Sequence, residues 1–359
     1  MMVGYAPGEL EATIASSRLE QSIVQHKLLF HGLQRLRLHQ ARSLKLFEGS
    51  SQPSHLLIVT GLPGAGKSTL LKQHKRDFPD VETIDGRMMP VVLVEMPFPC
   101  TRKGLVEAIL MAMGHEPSAN WNTARIVDEI ANFARRHDVL MIAIDEADRI
   151  FGSEAPILAK FLVSLLNSLD CQLVLAGAPE IQQLHKGWGL ERRKEVDLNL
   201  DPYRFNTREG QTDFRSMLGL FEENMGLPEP SLINSPDFSK RLYLASGGQV
   251  GLVSKLLVEA LRRAHMRQMA KIDLALLGEV YVAFKRGDED EEIEFDCDAE
   301  TIDAAEPLPL SDNPFLCTSA RLKILWDDLH AERARKARDN AKPAVNNATI
   351  GAKGKGKSS

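Results

Sequence analysis

Gly61-Leu62-Pro63-Gly64-Ala65-Gly66-Lys67-Ser68, followed by Thr69, is the stretch on which the reading of this chain turns. It fits GxxxxGK[ST] without a mismatch. Glycines let a backbone wrap closely around phosphate oxygens, and successive N–H groups then point inward as an anion nest. Lys67 brings a compact positive charge to the β and γ phosphates, and Ser68 brings a hydroxyl to Mg²⁺. The start of the following helix adds its dipole. The nucleotide-contacting set is therefore Gly61, Pro63, Gly64, Ala65, Gly66, Lys67, Ser68 and Thr69. The context fits as well. The apolar run 55–60 reads as a buried parallel strand, and 67–75 reads as the helix after it.

Downstream, the run Val139-Leu140-Met141-Ile142-Ala143-Ile144 ends in Asp145-Glu146. A buried strand that presents two carboxylates at its carboxyl end puts them where parallel sheets bind ligands. Asp145 is expected to hold Mg²⁺ through water, and Glu146 to polarise the attacking water. Further short apolar runs at 91–95 and 172–176 alternate with helical periodicity at 103–113, 124–136 and 156–169. That alternation predicts an α/β fold with a parallel sheet flanked by helices.

After about residue 205 the strand runs stop. Segments 212–225, 236–245, 251–269 and 271–284 read as helices, with Gly247-Gly248 breaking the chain between two of them. The expected organisation is a helical extension at 1–50 that contacts partners, an α/β nucleotide-binding domain at 51–205 and a small all-helical lid at 206–286. An acidic linker and basic tail at 287–359 are expected to be mostly disordered.

Composition sets wider bounds. The 359 residues are 43% hydrophobic and 26% charged, as in ordinary globular proteins. With 6% aromatic residues, a base-stacking surface is disfavoured. The net charge of −5 hides an acidic block at 288–303 and a basic end at 333–357. Cys100, Cys171, Cys297 and Cys317 include no CxxC pair, which argues against zinc. No signal peptide is visible, and the apolar runs fall well short of the roughly 20 residues a membrane span needs. A cytoplasmic location and no membrane partner are the expectation.

These motifs fit an AAA+ P-loop NTPase, and four segments take the likeness further. GLPGAGKST, IDEADR (Ile144–Arg149), LVLAGAPE (Leu173–Glu180) and ASGGQVGLVSKLLVEA with KIDLALLGEVY (Ala245–Tyr281) together resemble the TniB/TnsC-type transposition ATPases. These are regulators of DNA transposons, including CRISPR-associated ones. The resemblance spans roughly residues 30–285. It implies ATP and Mg²⁺ as cofactors and self-assembly into rings or helical filaments around double-stranded DNA. It also implies sequence-independent contacts to the DNA backbone, and a link between a TniQ- or TnsD-like target selector and a DDE-type transposase. Hydrolysis would disassemble the oligomer.

Residue roles follow on the same terms. Arg192, with Arg193 beside it, is expected to reach the ATP of a neighbouring subunit as charge develops on the γ phosphate. Lys255 is a candidate lid sensor. The strand 172–176 ends in Gly177-Ala178-Pro179-Glu180, without an obvious polar sensor. Thr101, Arg102 and Lys103, at a helix start, are the first candidates for DNA, and 120–125 comes second. Asn313-Pro314-Phe315 and the amphipathic stretch after it are a candidate docking peptide for the transposase. The rival readings are an Orc/Cdc6- or ExeA-like ATPase and an ATP-dependent assembly scaffold with negligible turnover.

Overall fold

The computed structural model describes residues 7–21, 24–44, 53–84, 86–150, 155–185, 192–289 and 312–341. The acidic block from residue 290 onward and the last part of the basic tail lie outside the described residues, as does Cys297.

Five parallel strands form the central sheet: β1 (Leu56–Thr60), β4 (Val91–Glu95), β5 (Met141–Asp145), β6 (Gln172–Gly177) and β7 (Leu198–Asn199). Their order across the sheet is β4-β5-β6-β1-β7. The two-residue alternation of side chains sorts them onto two faces. Leu56 and Ile58 join Val92, Val94, Ile142, Ile144, Leu173 and Leu175 on one side. There α4 (Arg102–Ala112), α5 (Thr123–Arg136) and α6 (Ala155–Ser168) supply the cover. Leu57 and Val59 face the other way, with Val91, Met141, Val174 and Ala176. Both sides of β1 and β6 are buried, which is why those strands are apolar but for Thr60 and Gln172 at their ends.

The second face is closed by α3 (Lys67–Asp77) and by α2 (Lys27–Ala41) from the amino-terminal region. Leu29, Leu33 and Leu36 of α2 pack with Leu70 and Leu71 of α3. Gly32 makes this approach possible, because a Cβ there would stand 2.9 Å from a Leu70 methyl. α2 is thus part of the sheet's own cover. The hairpin of β2 (Val81–Thr83) and β3 (Gly86–Met88) is not evident from the sequence pattern. It projects between α3 and β4, with Ile84 fully exposed near its tip.

The lid comprises α7 (Arg208–Met225), α8 (Pro236–Ser246), α9 (Val250–Met266) and α10 (Leu274–Glu289). Its core holds Phe214, Leu218, Tyr243, Leu257, Leu261 and Val280. Two elements from the chain ends join it. α1 (Pro7–Gln21) lies along α9, with Leu19 buried in the lid core. α11 (Ser319–Ala341) packs on α8, and the turn before it buries Phe315. α11 runs well beyond the amphipathic stretch expected from the sequence. No described helix is long and apolar enough to cross a membrane.

Candidate nucleotide site

β1 delivers the chain to Gly61 at the carboxyl edge of the sheet, and α3 begins at Lys67. Between them Gly64 and Gly66 take φ of 75° and 91°, a left-handed backbone that side chains disfavour. Lys67 Nζ donates to the Gly61 carbonyl at 2.8 Å and the Leu62 carbonyl at 3.2 Å, so its ammonium sits inside the loop's curve. Gly64, Ala65, Gly66, Lys67, Ser68 and Thr69 all line a cavity of about 470 Å³. That size suits a nucleotide-scale ligand.

The lid and the amino-terminal helices complete the walls. Val250, Gly251 and Ser254, at the start of α9, face the loop. The Gly251 N–H donates to the Gly64 carbonyl at 3.0 Å, and a Cβ on Gly251 would stand 2.3 Å from that oxygen. Glycine at 251 therefore permits the lid to touch the loop. Val24, Leu28 and Leu29 with Leu200 and Phe221 form the apolar walls, and Lys72 and Arg76 of α3 add charge. An apolar region beside an amide-and-ammonium cradle suits a ligand with a flat organic base and an anionic tail. His26 also lines the cavity, its Nδ1 3.0 Å from the Tyr203 hydroxyl, and burial lowers it to about 4. Sequence reasoning missed these walls. The available signal is the apolar series in 24–36, whose spacing marks a buried face without naming what it faces.

Asp145 and Glu146 emerge at the end of β5, with β6 between them and β1, so about 10 Å separates the two strands. Asp145 Oδ1 accepts the Glu146 N–H at 3.0 Å. Glu146 has φ of 54°, rare for a residue with a side chain. Its carboxylate is paired with Arg149. The same guanidinium meets Glu95 at 3.0 Å and donates to the Met96 carbonyl at 2.5 Å. Ser68 and Asp145 are the residues that would hold Mg²⁺, and the bound metal would supply charge to the β and γ phosphate oxygens. The loop glycines, the lysine and this acidic pair fit such a group.

Polar groups do gather at the end of β6, off the cavity wall. Asp148 Oδ1 accepts the Ala178 N–H at 3.0 Å, at the end of β6. Gly177 admits it, since a Cβ there would lie 2.7 Å from that oxygen. Next to it, Gln182 donates to Asn199 Oδ1 at 2.8 Å and to the Thr60 hydroxyl at 3.2 Å. Polar groups thus reach this strand end from segments that a strand-by-strand reading passes over.

The remaining candidates lie elsewhere. Lys255 is exposed and off the cavity wall, while Ser254 is on it. Arg192 is exposed at the opposite edge of the sheet, near the start of β1. Arg193 donates to the Ser54 carbonyl at 3.2 Å and to Asn167 at 2.8 Å. Glu195 anchors this segment, meeting Arg35 at 3.0 Å, His39 at 2.9 Å and Arg42 at 2.7 Å. Those partners, the His39 hydrogen bond foremost, hold its carboxyl below the usual range. The Thr101 hydroxyl caps α4 by accepting the Gly104 N–H at 3.0 Å. Arg102 and Lys103 are exposed beside Phe98, which is 86% exposed. In the second candidate stretch, Arg125 lies over the Trp121 ring at 4.7 Å.

Comparison with known proteins agrees with this geometry. Residues 51–184 match the family model described as an AAA domain. The ORC1 protein of Aeropyrum pernix, solved in complex with DNA, superposes with a TM-score of 0.54 at 18% identity, over 76% of this chain and 70% of that one. Cdc6p of Pyrobaculum aerophilum gives 0.57 at 14% identity, over 89% and 84%. No curated protein matches. At such identities the likeness is one of fold. The fold is that of AAA+ P-loop proteins, with the AAA-domain match lying in the α/β body and the helical lid beside the cavity.

Proposed function

We propose that this protein is an ATP-hydrolysing AAA+ regulator of DNA transposition that assembles on duplex DNA. The observation that carries the nucleotide part is the cavity between Gly64–Thr69 and the start of α9, with Asp145 and Glu146 one strand removed. Lys67 neutralises phosphate, Ser68 and Asp145 hold the metal, and Glu146 orients water. Arg192 completes the site of a neighbouring copy. Its exposure, beside a segment locked by Glu195, suits a group presented to another subunit. The transposition part rests on the combined IDEADR, GAPE and SGGQVG sequences. It brings with it a TniQ- or TnsD-like selector and a DDE-type transposase as partners. Arg102 and Lys103 would meet the DNA backbone.

Electron microscopy of the purified protein with duplex DNA is the test, run with ATP, with a slow analogue and without nucleotide. Decoration of DNA that depends on ATP is expected. Free monomers in all three conditions would overturn the assembly.

Two other readings each have an observation in their favour. The likeness in fold to ORC1 and Cdc6p favours an initiator-type ATPase. The Glu146–Arg149 pair favours a scaffold that binds ATP with negligible turnover. Comparing phosphate release by the parent protein and Glu146→Gln separates that reading from an active ATPase.

A further inference from the structure

We infer that the lid carries a receptor groove for the chain's own carboxy-terminal segment, residues 312–341, and that filling this groove is linked to nucleotide binding. The inference rests on the proposed nucleotide site and goes beyond it.

The groove is a built site. Arg241 of α8 is only 8% exposed. Its Nη1 donates to the carbonyls of Pro314 at 2.8 Å, and of Phe315 and Cys317 at 3.3 Å each. Asn313 Nδ2 donates to the Gly278 carbonyl on α10 at 2.9 Å, and its Oδ1 accepts the Phe315 N–H at 3.0 Å. Asn313 and Phe315 are each 2% exposed. A buried guanidinium is costly without acceptors; here Asp237 Oδ2 accepts from its Nε at 2.9 Å on the same helix, and the turn's peptide carbonyls accept from its Nη1. The Asn-Pro-Phe turn is therefore bound in cis, in a pocket matched to it.

Beyond the turn, α11 reaches the lid's hinge. Its Trp326 lies 5.5 Å from the Phe205 ring and 5.7 Å from the Tyr243 ring. Phe205 stands on the strand-to-lid connection and Tyr243 on α8, and both rings belong to the lid core that the indole packs against. Arg333 donates to the Tyr243 hydroxyl and to the Gly247 carbonyl. Gly247 and Gly248 have φ of 59° and 77°, and they turn the chain from α8 into α9. The Gly248 carbonyl accepts the Tyr203 N–H at 2.9 Å, and three residues later Gly251 meets the phosphate loop.

The segment and a nucleotide thus act on one element from two sides. The segment's contacts fall on Phe205, α8, Gly247 and α10, and a nucleotide would meet the lid at the start of α9, just across the Gly247-Gly248 turn. Ligands that favour the same state of a shared element favour each other, and by the same factor. Nucleotide tightens the segment on the lid, and loss of the segment's contacts weakens nucleotide binding.

The test uses the full chain. Calorimetry with a slow ATP analogue and Mg²⁺ compares the parent with Trp326→Ala, Arg333→Ala and Tyr243→Phe. The last removes one hydroxyl and keeps the ring, so it guards against misfolding. Affinity about fivefold or more weaker is expected for the first two. In parallel, amide exchange of 313–335 is measured with and without the analogue, and slower exchange with it is expected. Lys67→Ala should abolish that protection. If the parent takes up no nucleotide, the nucleotide reading falls and the linkage with it. If the parent binds while all three variants bind equally well and exchange is unaltered, the linkage alone is overturned.

Discussion

Arg149 holds the carboxylate of Glu146, three residues before it, and with the same guanidinium reaches Glu95 and the Met96 carbonyl at the end of β4. β4 leads into the start of α4, where Arg102 and Lys103 are proposed to meet DNA. A movement of that stretch would be felt at Glu146 through one side chain. Removing the restraint in Arg149→Ala should raise turnover without DNA several-fold and flatten its response to DNA. Glu146→Gln should lower turnover about 10²-fold or more, as loss of a positioned base does. Phosphate release with and without duplex DNA measures both. A drop in DNA-free turnover for Arg149→Ala, at unchanged nucleotide affinity, would make Arg149 a support for catalysis and sink the restraint.

The contact between Gly251 and Gly64 leaves no room for a side chain. Gly251→Ala places a carbon 2.3 Å from a backbone oxygen, so the start of α9 must shift away from the loop. The lid core, centred on Phe214 and Tyr243, stays intact. Nucleotide affinity is expected to fall about tenfold, near 1.4 kcal/mol, with little change in melting temperature of the nucleotide-free protein. Calorimetry and thermal melting read the two quantities separately. Unchanged affinity would show that the lid plays no part in holding nucleotide.

Arg102 and Lys103 offer two cations at a helix whose first turn is already capped by Thr101. Lys103 lies 3.6 Å from Glu107, a loose exposed pair that costs little to break. Alanine at either cation should weaken binding to duplexes of unrelated sequence alike. The slope of log affinity against log salt should drop by about one for each. Titrations by fluorescence anisotropy at three salt concentrations give the slope. An effect confined to one DNA sequence would contradict a backbone contact.

How much of the molecule is legible in the sequence depends on the range of each interaction. The P-loop, Asp145 and Glu146 are legible because their chemistry is local: a strand, a turn and a helix start fix them within a few residues. Short apolar runs give β1, β4, β5 and β6 to within about two residues. β7 escapes because a two-residue strand has no period, and its place beside β1 is set by pairing across 139 residues of chain. The amino-terminal helices show an apolar face but not what it covers, since that is decided by the Gly32–Leu70 approach. Asn313-Pro314-Phe315 is visible as a motif. Its host, Arg241, is an ordinary helical arginine until the tertiary fold buries it.

His74 ties the phosphate-loop helix to α2, and its titration gives the protein a distinctive acid response. It is fully buried on α3, 2.5 Å from Gln40 Oε1, and its other ring nitrogen is unpartnered. Burial lowers it from 6.5 to about 4, against a smaller opposing pull from Asp77. Burial does the same to His26 at the cavity wall. Both imidazoles stay neutral in the native state down to about pH 4, whereas the unfolded chain takes up protons near 6.5. The unfolded state then binds more protons in that window, so stability is full above pH 6.5 and declines as pH falls toward 4. For His74 the limit is about 3 kcal/mol. The carboxyls of Glu195 and Glu259 are held below their usual 4.5 and act only under more acid conditions. Thermal melting from pH 7.5 to 5 should therefore show a falling midpoint. His74→Gln keeps an N–H for Gln40 and does not titrate, so its midpoint should fall less over the same range. Parallel curves for the two proteins would remove His74 from this response.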